Sequence, residues 1–296
     1  IYYTLDGSDP RLPGGEVSPG AQLYLGPVTL PDIVEVKARA YNVNHVSLTG
    51  PNNPPLTSLW SGLTKEWFSI YPRAEAGNLV ITEINYHPLA PTASELMVDP
   101  DFVKEDFEFI ELKNIGTTIL DLTGVRFTNG IDFCFTGSGV VTVHPGGRVL
   151  VVKNLIAFKA RYGALSYIAG QYTGNLDNAG ENLRLDDAAG DIIMDFDYED
   201  GWYPTTDGLG FSLVILNENA PLNTWGSRTS WRPSANVKGS PGQADPPPPA
   251  IAAIVINEAL TNTEPPVKDA IELHNTASEP ADVGGAPFIL PYLTAK

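Results

Sequence analysis

The chain has 296 residues, 43% of them apolar, and carries 35 acidic against 18 basic side chains, a net charge of −17. That apolar fraction excludes a disordered chain, and the acidic excess argues against a phosphate-neutralising nucleic-acid binder and repels anionic lipid. No apolar run approaches the roughly 20 residues of a membrane-crossing helix, and the single cysteine, Cys134, excludes an intrachain disulfide.

Twenty-eight glycines and 26 prolines are spread along the chain and separate short runs of β character, which argues for all-β sandwiches. The first run is Ile1–Leu5. TLDGSDPR (4–11) follows as turn chemistry, with Gly7 free to take positive φ. VEVKARAY (34–41) is the next strand, then a Pro/Asn loop (49–55) and a linker-like YPRAEAGN (71–78). NLVITEIN (78–85) and FEFIELKN (107–114) are strands separated by an acidic insertion, APTASELMVDPDFVKEDFE (90–108). In the run FCF, Cys134 reads as a small buried apolar residue. RVLVVKN (148–154) is a strand. NLIAFKARYG (154–163) is the one helical stretch, with Leu155, Phe158 and Tyr162 at helical spacing, Asn154 as cap and Gly163 as stop. ENLRLDD (181–187), DIIMDFDY (191–198) and GFSLVIL (210–216) complete the strand series. SPGQADPPPPA (240–250) then breaks it, because consecutive prolines continue neither sheet nor helix. The expected pieces are 1–72, 76–245, a Pro-rich linker at 246–250, and 251–296.

The last piece repeats the middle one. FIELKNIGTTILDLTG (109–124) and AIELHNTASEPADVGG (270–285) share six of sixteen aligned positions: Ile110/Ile271, Glu111/Glu272, Leu112/Leu273, Asn114/Asn275, Asp121/Asp282 and Gly124/Gly285. IVINEAL (254–260) matches LVITEIN (79–85), so Glu258 echoes Glu83. The two glutamates are 28 residues apart in the first copy and 14 in the second, and the acidic insertion supplies the difference. The chain begins inside one strand-like run and stops inside the second copy, so it reads as a piece of a longer protein. A partial sandwich is poorly satisfied alone. Residues 251–296 are therefore expected to be partly disordered, to dock on the first copy or to pair with a neighbouring molecule, a route to self-association.

Taken in order, VITEINYHP (80–88), FEFIELKNIGTTILDLTGVRFTNGIDFCF (107–135), PGGRVLVVKNLIAFKARYG (145–163), NAGENLRLDDAAGDIIMDFDYED (178–200), GWYPTTDGLGFSLVIL (201–216) and WRPSANVKGSPGQAD (231–245) resemble a bacterial lamin-tail domain. IYYTLDGSDPR (1–11), SPGAQLYLGPVTL (18–30) and VEVKARAYN (34–42) are similar to the small β domain at the C-terminus of chitobiase and related hexosaminidases, here without its opening strands. The resemblance implies an immunoglobulin-like β-sandwich with a smaller fibronectin-like β domain before it and the start of a second lamin-tail domain after it. It further implies an accessory interaction module of a large secreted or surface protein of bacteria. It carries no catalytic residues.

The residues themselves offer little catalysis. Paired glutamates can do acid–base work or hold a cation, but copying Glu83 and Glu111 as Glu258 and Glu272 argues that the fold needs them, as sheet-surface acids paired with Lys, Arg or loop amides. Asn114, Asp121 and Gly124, with Asn275, Asp282 and Gly285, read as turn positions. Asp195, Asp197, Glu199 and Asp200, with Asp186, Asp187 and Asp191 nearby, make an acidic edge. It can be read as Ca²⁺ ligands, although no ligand loop is evident, or as a solvated face that blocks strand pairing. His45, His87, His144 and His274 lack metal spacing, and no nucleophile motif or phosphate loop occurs. Trp202, Tyr203, Trp225 and Trp231 read as plugs at the ends of the sandwich.

The expectation is thus a non-enzymatic module without a cofactor that mediates adhesion, anchoring or spacing through a protein, cell-envelope or polysaccharide partner. The alternative is a Ca²⁺-dependent accessory domain of a secreted hydrolase or nuclease.

Overall fold

Period-2 alternation gives the N-terminal strands two unlike faces. In the computed structural model, which describes residues 1–30, 33–51, 54–247, 254–264 and 269–276, strands β1 (Tyr2–Thr4), β2 (Gln22–Leu23), β3 (Val34–Arg39) and β4 (Thr64–Phe68) form an antiparallel sheet in the order β2-β1-β3-β4. One face carries Tyr3, Val36, Ala38 and Phe68 around an open apolar trough of about 430 Å³. The other holds the rings of Tyr2, Tyr41 and Trp60 in mutual contact. There Arg39 grips Asp9 through two hydrogen bonds of 2.8 Å. In the turn between them Asp6 accepts from the Ser8 amide at 2.9 Å and Gly7 takes a φ of 76°.

The next twelve strands build a sandwich. They are β5 (Leu79–Asn85), β6 (Phe109–Asn114), β7 (Leu120–Asp121), β8 (Arg126–Asn129), β9 (Phe133–Cys134), β10 (Thr142–Val143), β11 (Arg148–Val152), β12 (Ile168–Gln171), β13 (Gly180–Asp186), β14 (Ile192–Glu199), β15 (Leu213–Ile215) and β16 (Trp231–Pro233). A six-stranded sheet, β12-β11-β6-β5-β15-β16, faces a four-stranded sheet, β14-β13-β8-β9. Ile81, Ile110 and Leu112 from the first meet Phe127, Leu183 and Phe196 from the second in one core. The fold is all-β. Trp225, after a 3₁₀ turn between β15 and β16, and Trp231, at the start of β16, are fully buried, and their indole N–H groups donate to the carbonyls of Ile81 (3.1 Å) and Trp225 (2.6 Å). Buried indoles need such partners.

Helix α2 (Leu155–Tyr162) is the crossover that makes β11 and β12 parallel. Asn154 Oδ1 accepts from the amides of Ile156 and Ala157, and Gly163 ends the helix at φ 82°. Phe158 and Tyr162 pack edge-on against Phe109, on the side of the six-stranded sheet opposite the core. That sheet is therefore covered on both faces, and all seven residues of β5 are buried, polar ones included.

Three segments differ from the sequence reading. Residues 71–78 are not a free linker. Asp121 N donates to Pro72 O and Ala74 N to Asp121 O, so this stretch runs beside β7 with Ala74 buried. Cys134 is exposed, because Phe133 and Phe135 take the two inward positions flanking it. The acidic insertion is docked: α1 (Ala93–Leu96) starts with a Thr92/Glu95 capping box, and Phe102 and Phe107 pack with Ala157 of α2. Buried Arg161 on α2 clamps Glu95 with two hydrogen bonds (2.9 and 3.0 Å) and lies over the Phe107 ring, 3.4 Å from its centroid. His87 is bracketed by Asp207 at 2.6 Å and by Lys104 of the insertion at 2.5 Å.

Strands β17 (Ile254–Leu260) and β18 (Ala270–Asn275) form a two-stranded sheet of their own. Asp282, Gly285 and most of the Pro-rich linker lie outside the described residues.

Removing one partner from a buried ion pair strands the other, at a cost of about 3–5 kcal/mol. Arg161→Ala is expected to lower unfolding stability by about that amount in urea titration. Proteolysis should then cut first within 90–108, the segment that loses its clamp.

Candidate functional site

Between Ile81 and Glu83 the β5–β6 register shifts, so Thr82 is an extra residue and Glu83 comes to lie opposite Glu111. A bulge of this kind re-aims side chains. It leaves both carboxylates off the core side, under the segment that runs from Asn236 to Asp245. They are 2% and 1% exposed. The sequence reading had made them sheet-surface acids; they are buried because this closing segment lies across the sheet.

A buried carboxylate requires donors. Glu83 Oε1 accepts from Ser212 Oγ at 2.5 Å and from the Ser240 amide at 2.9 Å. Glu111 Oε1 accepts from Thr82 Oγ1 at 2.6 Å and Arg148 Nε at 2.9 Å, and its Oε2 from the Gly242 amide at 2.6 Å. Two strands and a loop far apart in sequence are thereby tied together. Tyr162 joins them by donating to Lys238 O at 2.9 Å. Arg232 and Asp245 (2.5 Å) anchor the end of the segment. Gly239 is required at φ 77°, since a Cβ there would overlap Glu83 Oε1.

The two acids titrate differently. Burial, then the neighbouring Glu111 charge, pushes Glu83 up to about 8. Burial also raises Glu111, but Thr82 and the Arg148 guanidinium oppose it. Glu83 is thus the acid that keeps its proton at neutral pH. A carboxyl raised in this way is what a general acid uses. Here, though, Glu83 Oε1 and both Glu111 oxygens already receive short hydrogen bonds from the protein. A cavity of about 330 Å³ adjoins the pair, lined by Arg148, Glu218, Arg232 and Asp245 among others. Its cations are engaged: Arg148 bonds Glu111 and reaches Glu218 at 3.4 Å, and Arg232 bonds Asp245.

Burial also raises a third acid, Glu108, to about 7. Its Oε2 accepts from Tyr172 Oη (2.8 Å) and Leu176 N (2.9 Å), and its Oε1 has no partner.

The other sequence candidates lie elsewhere. Asn114 is buried and ties its turn through Thr118 O and Val143 O, both 2.8 Å. Asp121 accepts from Thr123 N at 2.8 Å, and Gly124 follows at φ 86°. Asp195 and Asp197 are exposed on the edge strand β14, and Asn182 donates to both at 2.8 and 2.9 Å. Glu199 is exposed, and Asp200 opens a short 3₁₀ turn. Asp186 is not part of this edge: it is buried and held by Thr128 and Arg184, both 2.8 Å. Asp187 closes a turn with Ala189 and Asp191. Among the described residues no group of three or more His, Cys, Asp or Glu side chains is arranged to hold a metal ion.

The second pair repeats the first in detail. Ile256 pairs with Leu273 and Glu258 with Glu272, with the register shift between Ile256 and Glu258. The extra residue Asn257 donates to Glu272 Oε1 at 2.6 Å, as Thr82 does to Glu111. Asn275 pairs with Ile254 as Asn114 pairs with Leu79.

Arg148, Ser212, Ser240 and Gly242 were not singled out from the sequence. The recurrence of IEL and of the preceding glutamate pointed to the acids; nothing pointed to their donors, which are 37 to 157 residues away.

Compared with known proteins, residues 1–49 match the Fn3-associated family (Fn3_assoc). No curated protein matches. A crystal structure of a DUF4876 family protein from Bacteroides thetaiotaomicron aligns at 14% identity with a TM-score of 0.24, covering 74% of this chain and 66% of that one.

Stability should depend on pH through the raised acids. An acid whose folded pKa exceeds its unfolded value stabilises the fold fully below the unfolded pKa and loses that contribution as pH rises through the folded one. For Glu83 and Glu108 the window runs from about 4.5 to about 8. Glu95, lowered to about 2, works in the opposite direction and only in acid. The melting temperature is therefore expected to fall between pH 5 and pH 8.5. Glu83→Gln should flatten much of that slope, and Gly239→Ala should lower the melting temperature at every pH.

Proposed function

We propose that this chain is a non-catalytic structural and interaction module of a larger exported bacterial protein. On this reading it anchors, spaces or attaches neighbouring domains at the cell surface. Residues 76–245 are a lamin-tail-type, immunoglobulin-like sandwich, 251–296 open a second copy, and 1–72 are a fibronectin-like β domain of the chitobiase C-terminal type. Partners would be met through loops and sheet edges, where such modules present their binding residues.

One observation carries the reading: the β5–β6 register, its bulge and the bulge residue's bond to a glutamate recur in β17–β18. A catalytic acid pair gains nothing from duplication into an adjoining hairpin. A device that sets strand register and fastens a closing segment recurs wherever that architecture recurs. The consumption of the carboxylate oxygens by hydrogen bonds supports the same conclusion.

Co-sedimentation with isolated envelope fractions and polysaccharides is expected to show saturable retention. Hydrolysis of a glycan, peptide or phosphodiester that disappears in Glu83→Gln would overturn the reading. Millimolar Ca²⁺ is expected to leave the melting temperature unchanged; a ligand bound only by the folded state, at a hundred times its Kd, would stabilise it by about 2.7 kcal/mol.

A further inference from the structure

The turns between β15 and β16 enclose a further cavity of a different character. Leu216, Asn217, Ala220, Asn223, Ser227 and Thr229 are among the residues around an open cleft of about 440 Å³. In a chain of net charge −17, no charged side chain among the described residues lines it. The two charges of residues 216–230 are turned elsewhere: Glu218 binds Lys113 and Arg148, and Arg228 lies over the Tyr203 ring, 4.9 Å from its centroid. The walls are fixed. Leu216 N donates to Ser230 O at 2.8 Å, the Thr224 hydroxyl to Pro221 O at 2.8 Å and the Ser230 hydroxyl to Thr224 O at 2.7 Å. Fully buried Trp225 roots these turns in the core. Hydrogen-bonding capacity is left over at the mouth. The Asn223 amide is exposed and bonds no described residue. Asn217 Oδ1 accepts from Asn219 N at 3.0 Å, which leaves its Nδ2. Ser227 and Thr229 share one bond of 2.9 Å between two hydroxyls, which leaves one hydroxyl proton. Beside these groups Leu216, 56% exposed, forms an apolar ledge.

We infer that this cleft binds a neutral glycan. A sugar hydroxyl both donates and accepts, and so do the amides and hydroxyls left unfilled here. A pyranose also has an apolar C–H face, which the Leu216 ledge and Ala220 cover. An ionic ligand would leave its charge unpaired against a neutral wall. An extended peptide is met best by a free strand edge, whereas the backbone groups of these turns bond one another. The volume lies within the roughly 300–1,000 Å³ of small-ligand sites, and the walls are set before a ligand arrives. The inference rests on the interaction-module reading and deepens it, naming the partner as a neutral polysaccharide and the place as residues 216–230.

The probes are cellohexaose, laminarihexaose and mannohexaose, titrated by calorimetry into the full chain, with hexagalacturonate as the charged control. Saturable binding of at least one neutral sugar, one per chain, is expected, and none of hexagalacturonate. Asn223→Ala and Thr229→Val should each weaken it about fivefold, and the double variant by more than about tenfold. Both side chains are exposed, so these variants should keep the parent melting curve, which serves as the folding control. No saturable binding of any neutral sugar, full affinity in the double variant, or equal binding of hexagalacturonate would overturn the inference. So would peptides of a casein digest retained in place of sugar and lost in the double variant, because the cleft would then be a peptide site. In each of those cases saturable retention by envelope fractions leaves the module reading standing. A sugar cleaved by the parent chain and not by Glu83→Gln would instead defeat that reading.

Discussion

Glu83 and Glu111 lie side by side in a sheet whose two faces are both covered, and a carboxylate taken out of water costs several kcal/mol unless donors reach it. Most of the sandwich's long-range organisation answers that demand. The donors come from β5, β11, Ser212 just before β15 and the closing segment. Each can reach only if its element sits in one place, so satisfying the acids specifies the arrangement. Part of the answer is a proton. Burial pushes both acids up, Arg148 and Thr82 oppose the rise at Glu111, and Glu83 remains neutral at pH 7.

The same constraint explains why the back of the six-stranded sheet is elaborate. Helix α2 covers one part of it with Phe158 and Tyr162, and residues 236–245 cover another. The acidic insertion is held to α2 by Arg161 and Glu95. A cavity remains beside the pair, yet its charged lining is neutralised internally. On the proposed reading a site can carry a raised pKa, a neighbouring acid and an adjoining cavity and still be architectural. Perturbed titration alone does not separate the two.

Several features were legible in the residues. Period-2 runs located β1, β3, β5, β6, β11, β13, β14 and β15 to within a few residues, because alternating burial writes itself into composition. Asn154 and Gly163 marked the ends of α2, since capping is local chemistry. Short strands such as β7, β9 and β10 left no such trace; two residues cannot display a period, and pairing alone defines them. Cys134 was misread for a related reason: an apolar neighbourhood in sequence says nothing about which side of a strand a residue takes. Residues 71–78 looked like a linker because Pro, Arg and Gly break patterns, while their backbone groups pair with Asp121.

The all-β class, helix α2 and the repetition of a strand pair around two glutamates are written in the residues alone, whereas the short helix α1 is not. Each of the first three is carried by neighbours within a few residues, where backbone preference and side-chain alternation act. Tertiary structure alone decided that the first glutamates are buried, that one keeps its proton, and that Arg148, Ser212 and the 238–242 turn are their partners. Those outcomes depend on which distant donors arrive and how much water is excluded, and neither is encoded in local spacing.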